Sequence, residues 1–581
     1  MPLKADPLHG YMKDSRIIKF ICLTVATCLL TACGYSTSGP AVSEPAESDP
    51  VESESASAEL LPPNIIDDNY RNYYEIFVGS FCDSDDDGIG DLRGIESKLD
   101  YISDLGCNGI WLTPVMAAPS YHKYDTTDYY MIDPAFGTNE DFKSLADACH
   151  ERGIRLIIDL VINHSSNEHP WFKEACDYLR TLPEGGEPDP GVCPTVDYYH
   201  FSREKLNASY SEVSGSDWYY EAVFYYTQPD LNLHNEAVVD ELEKVAAYWI
   251  GLGCDGFRMD AAMHYDDEVS SYNTDFLHDY YEYCRTLDPD FYMVSEVWAS
   301  EKTIADYYAS GTPSFFNFDA ADAEGKLIRA GRGKLTAEKF VEACADYEKT
   351  YGAANPDFID APFITNHDMG RVANALQSKP ADMKMTAGLL LSMSGSPFIY
   401  YGEEIGLKSK GNADENKRLH MNWDGTVYTG AGADSGVCRD PQGADTDIEQ
   451  SFPSVEDQER DPDSILSYYK KALAIRNAYP EIARGRIGII DELTDGHIAV
   501  MTKTWNDEKI AIVYNTGEES ATVDISGEGT GVKGMKPVAV LYANEENAGE
   551  GDTDSDPKLS ESVVAQPEIL EIPPKTIVYL K

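Results

Sequence analysis

Four short segments place acids, histidines or arginine directly after an apolar run, where a buried strand would meet solvent. They are Asp159-Leu-Val-Ile-Asn163-His164, Gly256-Phe-Arg258-Met-Asp260-Ala-Ala-Met-His264, Val294-Ser-Glu296-Val-Trp298 and Phe363-Ile-Thr-Asn366-His367-Asp368. In an extended strand residues i and i+2 share a face, so Arg258 and Asp260 point the same way. An arginine beside a carboxyl favours its ionised form, and an ionised carboxylate can attack an anomeric carbon. Glu296, followed by Val297 and Trp298, is the acid whose surroundings could keep it protonated. One nucleophile and one acid/base are what glycoside hydrolysis needs. A single acid at a strand end is more often a helix cap or an ion pair; four clusters together argue for a site.

Such chemistry requires strands that end on one side. Predicted strands cover Tyr73–Phe81, Gly109–Thr113, Ile154–Ile162, Cys254–Asp260, Phe291–Val297, Ser314–Phe318, Phe358–Thr365 and Pro397–Tyr401. Between the second and third, Phe142, Leu145, Ala146 and Cys149 share one helical face and Gly153 closes the helix. Eight strands with intervening helices imply an α/β fold, a (β/α)8 TIM barrel with its site at the C-terminal strand ends. Periodicity alone also admits a doubly wound sheet. From His164 to Asn235 an aromatic, Gly- and Pro-rich stretch replaces a short connection, as expected of a small inserted domain after strand 3. His497–Thr504, Ile510–Tyr514, Val538–Tyr542 and Thr576–Leu580 read as the strands of a C-terminal β-sandwich domain. The expected domains are therefore 64–163 with 236–480 for the barrel, 164–235 for the insertion and 481–581 for the C-terminal unit.

The N-terminus reads differently. Lys13, Arg16 and Lys19 form a positive start, and the apolar run from Ile17 to Leu30, interrupted by Lys19, ends in Leu30-Thr31-Ala32-Cys33-Gly34. The run is short for a membrane span and suits a signal peptide. Its ending resembles a bacterial lipoprotein signal, so residues 1–33 are expected to be a leader with Cys33 lipidated, and Met12 the start of translation. Residues 34–63, rich in Ser, Glu, Pro and Ala, cannot bury apolar area and read as a solvated tether. This places the protein at the extracellular face of a bacterial membrane. Of 12 cysteines, nine follow Cys33, with no spacing that marks a zinc site or a disulfide scaffold; Cys176 and Cys193 are the candidate pair. A formal charge of −55 argues against nucleic acid as a partner. A monomer is expected.

The four segments resemble, in order, the signature regions of the α-amylase family of glycoside hydrolases, and Gln228-Pro-Asp230-Leu-Asn232 resembles its fifth. The resemblance runs from about Asn64 to Lys581. It implies that Asp260 is the nucleophile and Glu296 the acid/base. Asp368 would hold sugar hydroxyls, and Arg258 would orient Asp260. His164 and His367 would bond the sugar at the cleavage point, as would Arg371. Configuration would be retained, with the two reacting carboxyls about 5–5.5 Å apart. Tyr121-His122-Lys123-Tyr124-Asp125 matches a stretch lining the cleavage subsite, with Tyr124 stacking under the sugar. His122 stands where exo-acting α-glucosidases of the family carry Asp, which favours internal cleavage of α-1,4-glucans. Gln228 and Asn232 resemble oligo-1,6-glucosidases instead, and Met263 stands where amylases commonly have Lys. The alternatives are thus an exo-acting α-glucosidase or glucanotransferase and, in a different class, a catalytically silent glucan-binding lipoprotein.

Asp83-Ser-Asp85-Asp-Asp87-Gly88-Ile89-Gly-Asp91 offers oxygens at positions 1, 3, 5 and 9 and the carbonyl of Ile89 at position 7, with Gly88 at the sharp turn. That is the opening of an EF-hand-like calcium loop, although position 12 is Gly94. The resemblance implies a second structural calcium at Asn163, Asp230 and the carbonyl of His264.

Overall fold

Short apolar runs, buried on both faces, form the centre of the molecule. In the computed structural model, which describes residues 66–429, 436–445, 447–544, 564–566 and 568–581, seven parallel strands are arranged in the order β6-β5-β4-β3-β2-β1-β7. They are β1 (Tyr73–Ile76), β2 (Gly109–Leu112), β3 (Arg155–Leu160), β4 (Gly256–Met259), β5 (Tyr292–Ser295), β6 (Ser314–Phe315) and β7 (Phe398–Tyr400). From β1 to β6 consecutive strands are neighbours, as right-handed βαβ units wound in one direction require, and β7 pairs with β1. The expected leader, Cys33 and the tether lie outside the described residues.

The predicted strand Phe358–Thr365 is not a strand. This stretch contributes isolated parallel bridges, Phe316 with Ala361 and Phe363 with Phe398, which close the barrel between β6 and β7. Pro362 sits at the centre of the segment. It has no N–H to donate, so a continuous ladder cannot form there. Its carbonyl still accepts from Phe398 N at 2.9 Å, and Ala361 O accepts from Asn317 N at 3.0 Å. The other strands are shorter than the sequence suggests because the residues beyond them, Asp260 and Glu296 among them, have turned into the loops that carry the site.

The helix after β2 spans Asn139–Glu151. It starts with a capping box between Thr138 and Asp141 and buries Phe142, Leu145, Ala146 and Cys149. Gly153 follows at φ +68, a left-handed conformation that glycine adopts without strain. After β3 the chain forms the helix Pro170–Thr181 and a small sheet of Phe201–Ser202, Tyr219–Glu221 and Tyr210–Glu212. Antiparallel bridges of His164 with Asp230 and Tyr199 with Leu231 hold the two ends of this insertion side by side. The helix Glu236–Gly251 then leads into β4.

At the C-terminus, β8 (Arg486–Ile489), β9 (Ile498–Trp505), β10 (Glu508–Asn515), β11 (Pro537–Tyr542) and β12 (Thr576–Leu580) form an antiparallel sheet in the order β8-β9-β10-β12-β11. Alternate residues serve different neighbours, as the strand period dictates. Val500, Val513, Val540 and Val578 pack with Val523, Leu570 and Ile572 of the second, three-stranded sheet. Ala499, Met501, Ile512 and Tyr579 join the core of the barrel. The nine described cysteines are all buried and free. The candidate pair Cys176 and Cys193 is therefore not a disulfide; the Cys193 thiol lies 3.2 Å from the Thr195 hydroxyl. Among the described residues no helix is long and apolar enough to cross a membrane.

Candidate active site

The ends of β3, β4 and β5 converge on one guanidinium. Arg258, 1% exposed, donates from Nη1 to both oxygens of Asp159 at 2.9 and 3.1 Å and to Asp260 Oδ1 at 2.5 Å. Its Nη2 lies 3.0 Å from Glu296 Oε2, which also accepts from Ala261 N at 3.1 Å. Ala261 has φ +49. This turn, immediately past β4, brings its N–H round to the acid at the end of β5.

Asp368 meets a second set of cations. Its Oδ1 accepts from Arg418 Nη2 at 2.7 Å and its Oδ2 lies 3.1 Å from His367 Nε2. The other ring nitrogen of His367 lies 2.6 Å from Glu75 Oε1. Tyr124 joins the two sets. Its hydroxyl donates to Asp159 Oδ2 at 2.8 Å and lies 2.7 Å from His367 Nε2, and its ring stacks on the imidazole at 5.5 Å.

Five carboxyls (Glu75, Asp159, Asp260, Glu296 and Asp368) thus share three cationic groups, Arg258, His367 and Arg418. Such an imbalance in a buried site favours protonation of some of the acids. Burial lifts Glu296, with Arg258 opposing and Asp260 and Asp368 adding to the rise. Asp260 is also raised by burial, against the pull of Arg258. Asp159 is pushed up to about 7 by burial, again against Arg258. Asp368 is held far below the ordinary carboxylate range: burial would raise it, but His367 and Arg418 outweigh that. His367 is raised to about 10, burial being overcome by Asp368 and Glu75. His122 and His164 are each lowered to about 4, chiefly by burial, and so are neutral at neutral pH.

Most of the residues expected from sequence meet here; two sit differently. His164 is buried and places Nε2 2.9 Å from the carbonyl of Tyr124, so it anchors the backbone of that subsite tyrosine. Arg371 is a correction. Its guanidinium is packed over Tyr400 and Tyr401 at 3.9 and 4.6 Å and donates to the carbonyls of Tyr401 and Lys417. It holds loop backbone and leaves Asp368 to Arg418. Nothing in the spacing marked Arg418, which lies 50 residues beyond Asp368. Glu75 could have been found: a lone acid within the run Tyr73-Tyr74-Glu75-Ile76 must be buried, and a buried carboxyl needs a partner.

Asp83, Asp85 and Asp91 bring one oxygen each within 4.8 Å of one another. Asp83 accepts from the N–H groups of Asp85, Asp86 and Gly88, and Asp91 from Ser84 and Gly94. This hard, all-oxygen set fits a calcium ion. Asp87 stands outside the group, its carboxylate accepting from Ile89 N at 2.7 Å. At the second expected site, Asn163 Nδ2 lies 3.4 Å from Asp230 Oδ1. The Asp230 carboxyl is pushed up to about 8 by burial. The His264 ring turns to Asp267 at 2.7 Å.

Residues 75–485 match the family model described as α-amylase, catalytic domain. The chain belongs to the α-amylase family of glycoside hydrolases. It is 37% identical over 481 residues to α-amylase 3 of Dictyoglomus thermophilum, covering 81% of this chain and 89% of that protein. An oligo-1,6-glucosidase of Heyndrickxia coagulans is 30% identical over 534 residues, 78% of this chain and 92% of its own. The solved structure of Amy13B from Eubacterium rectale superposes with a TM-score of 0.82 at 41% identity, covering 90% of this chain and 97% of that one. The family's barrel and its action on α-glucans therefore apply to this chain.

Proposed function

We propose that the protein is a retaining, endo-acting hydrolase of α-1,4-glucosidic bonds in starch-like glucans. The observation that carries this is the single guanidinium of Arg258, which holds Asp260 on one terminal nitrogen and Glu296 on the other. That spacing suits a nucleophile and an acid/base acting on one glycosyl unit. The Asp260 carboxylate would attack the anomeric carbon while Glu296 gives its proton to the departing glycosidic oxygen. Glu296, now ionised, would take a proton from the water that cleaves the glycosyl ester, releasing Asp260 as its carboxylate and leaving Glu296 protonated again. Asp368, kept ionised by His367 and Arg418, would accept hydrogen bonds from sugar hydroxyls, and Tyr124 would lie beneath the ring.

Internal cleavage is favoured by His122. A neutral imidazole at the cleft leaves a longer chain room to continue, whereas a carboxylate would grip a terminal sugar. A second reading, exo-action or transfer, draws on Gln228, whose amide donates to the Tyr124 carbonyl at 3.1 Å, and on the oligo-1,6-glucosidase relative. We further propose that calcium at Asp83, Asp85 and Asp91 stabilises the loop after β1 without entering the reaction. The run ending at Cys33 supports a lipid-anchored enzyme outside the cell.

The test is incubation with amylose and with maltose. An endo enzyme destroys iodine staining rapidly and spares the disaccharide; release of glucose without early loss of staining would favour the exo reading. Asp260→Asn is expected to retain glucan binding and to lose turnover. Persistent turnover in that variant would overturn the assignment.

A further inference from the structure

β1 has the sequence Tyr-Tyr-Glu-Ile, and all four residues are buried. An unpaired carboxyl placed there would be costly, and this one is paired with a single residue. Glu75 Oε1 accepts from the backbone N–H of His367 at 3.2 Å and lies 2.6 Å from its Nδ1. The neighbours of the ring are all defined. Trp111 meets it edge-on at 5.6 Å and Tyr124 stacks on its face. Arg418 Nε donates to the His367 carbonyl at 3.1 Å. Nε2 faces Asp368 Oδ2 and the Tyr124 hydroxyl. Asp159 is reached through the Tyr124 hydroxyl, and both it and Asp260 feel the charge of the ring.

The donor count around the ring decides its protonation. The Tyr124 hydroxyl spends its proton on Asp159, so it can only accept from His367. Asp368, ionised, can only accept as well. A neutral imidazole with its proton on Nδ1, towards Glu75, would aim the Nε2 lone pair at two acceptors. The proton on Nε2 instead would set the Nδ1 lone pair against the Glu75 carboxylate. Only the doubly protonated ring satisfies every contact.

We propose that Glu75 is a positioning residue for the hydrolysis, acting through His367. Its carboxylate keeps both ring nitrogens as donors, so that Nε2–H fixes Asp368 and presents a charged edge to the bound sugar. This rests on the reading of Asp368 as the sugar-holding acid. The geometry is that of an outer carboxylate orienting a working histidine, familiar from metal sites and here serving a glycan.

Glu75→Gln keeps the shape and a carbonyl acceptor for Nδ1–H but removes the charge. At pH 8 kcat is expected to fall about 10- to 100-fold, the scale of losing the outer partner of a working histidine, with KM changed much less. The deficit should shrink towards pH 5.5 as His367 regains its proton, so the basic limb of the profile moves to lower pH. Nitrogen NMR of labelled wild-type protein, assigned by the signal missing in His367→Asn, should show both His367 nitrogens protonated at pH 8. A folded Glu75→Gln variant with an unmoved pH profile would overturn the proposal. So would one unprotonated His367 nitrogen in the wild type, a measurement that needs no variant of Glu75. If the NMR result holds while Asp260→Asn still turns over, the catalytic assignment fails and the protonation relay survives.

Discussion

Replacing Arg258 with Gln would remove the one cation shared by Asp159, Asp260 and Glu296. The charge centres of a bonded guanidinium and carboxylate lie about 4 Å apart. At an effective dielectric constant near 20 each pair is then worth about 4 kcal/mol. About 1.4 kcal/mol corresponds to one pH unit, so the acid limb governed by Asp260 should move upward by about 3 units. The sign follows from the chemistry: without the cation, burial and the Asp368 charge both favour the protonated acid, and a protonated Asp260 is no nucleophile. On the acid side of the profile kcat/KM should drop by up to about 1,000-fold and recover part-way in alkali, because Glu296, also raised, would still supply its proton. A chromogenic maltotrioside followed from pH 5 to 10 gives the profile. Leaving buried carboxyls unpaired should also cost about 3–5 kcal/mol of stability. For a chain of this length that lowers the melting temperature by about 3–5 °C. Activity within tenfold of wild type at pH 6, with the acid limb unmoved, would refute the role given to Arg258.

The two arginines near Asp368 should separate cleanly. Arg418→Met removes a direct partner of Asp368, and kcat/KM should fall about 100-fold. Arg371→Met should leave KM unchanged but cost about 2–4 kcal/mol on thermal unfolding, because it orphans buried carbonyls. His367, raised to about 10, contributes stability that is complete below its unfolded value and is lost as pH rises through 10. Calorimetry should therefore show the melting temperature falling from pH 7 to 10, and less steeply in Glu75→Gln. Asp368, being depressed, contributes in the opposite sense and loses its share only in strong acid. Chelation should lower the melting temperature in wild type but have little effect in Asp83→Asn, with kcat at 25 °C equal in both; equal melting responses would remove calcium from the loop.

Much of this was legible in the chain because a barrel strand is a local object. An apolar run of four to six residues followed by a polar one names both the strand and the residue at its mouth. Asp260, Glu296 and Asp368 could be picked out on that basis, and the helix Asn139–Glu151 from its apolar face and its closing glycine. Partnership across the barrel is not local. Arg371 and Arg418 look alike in sequence, both following an acid-bearing loop. Only the packing of Tyr400 and Tyr401 over Arg371 turns one arginine to the backbone and leaves the other for Asp368. The segment around Pro362 read as a strand because its side chains suit one; its missing N–H matters only once a neighbour must pair with it. Five carboxyls and three cations are set by composition. Which acid keeps a proton is set by which oxygens reach which nitrogens, and that is decided where the strand ends meet.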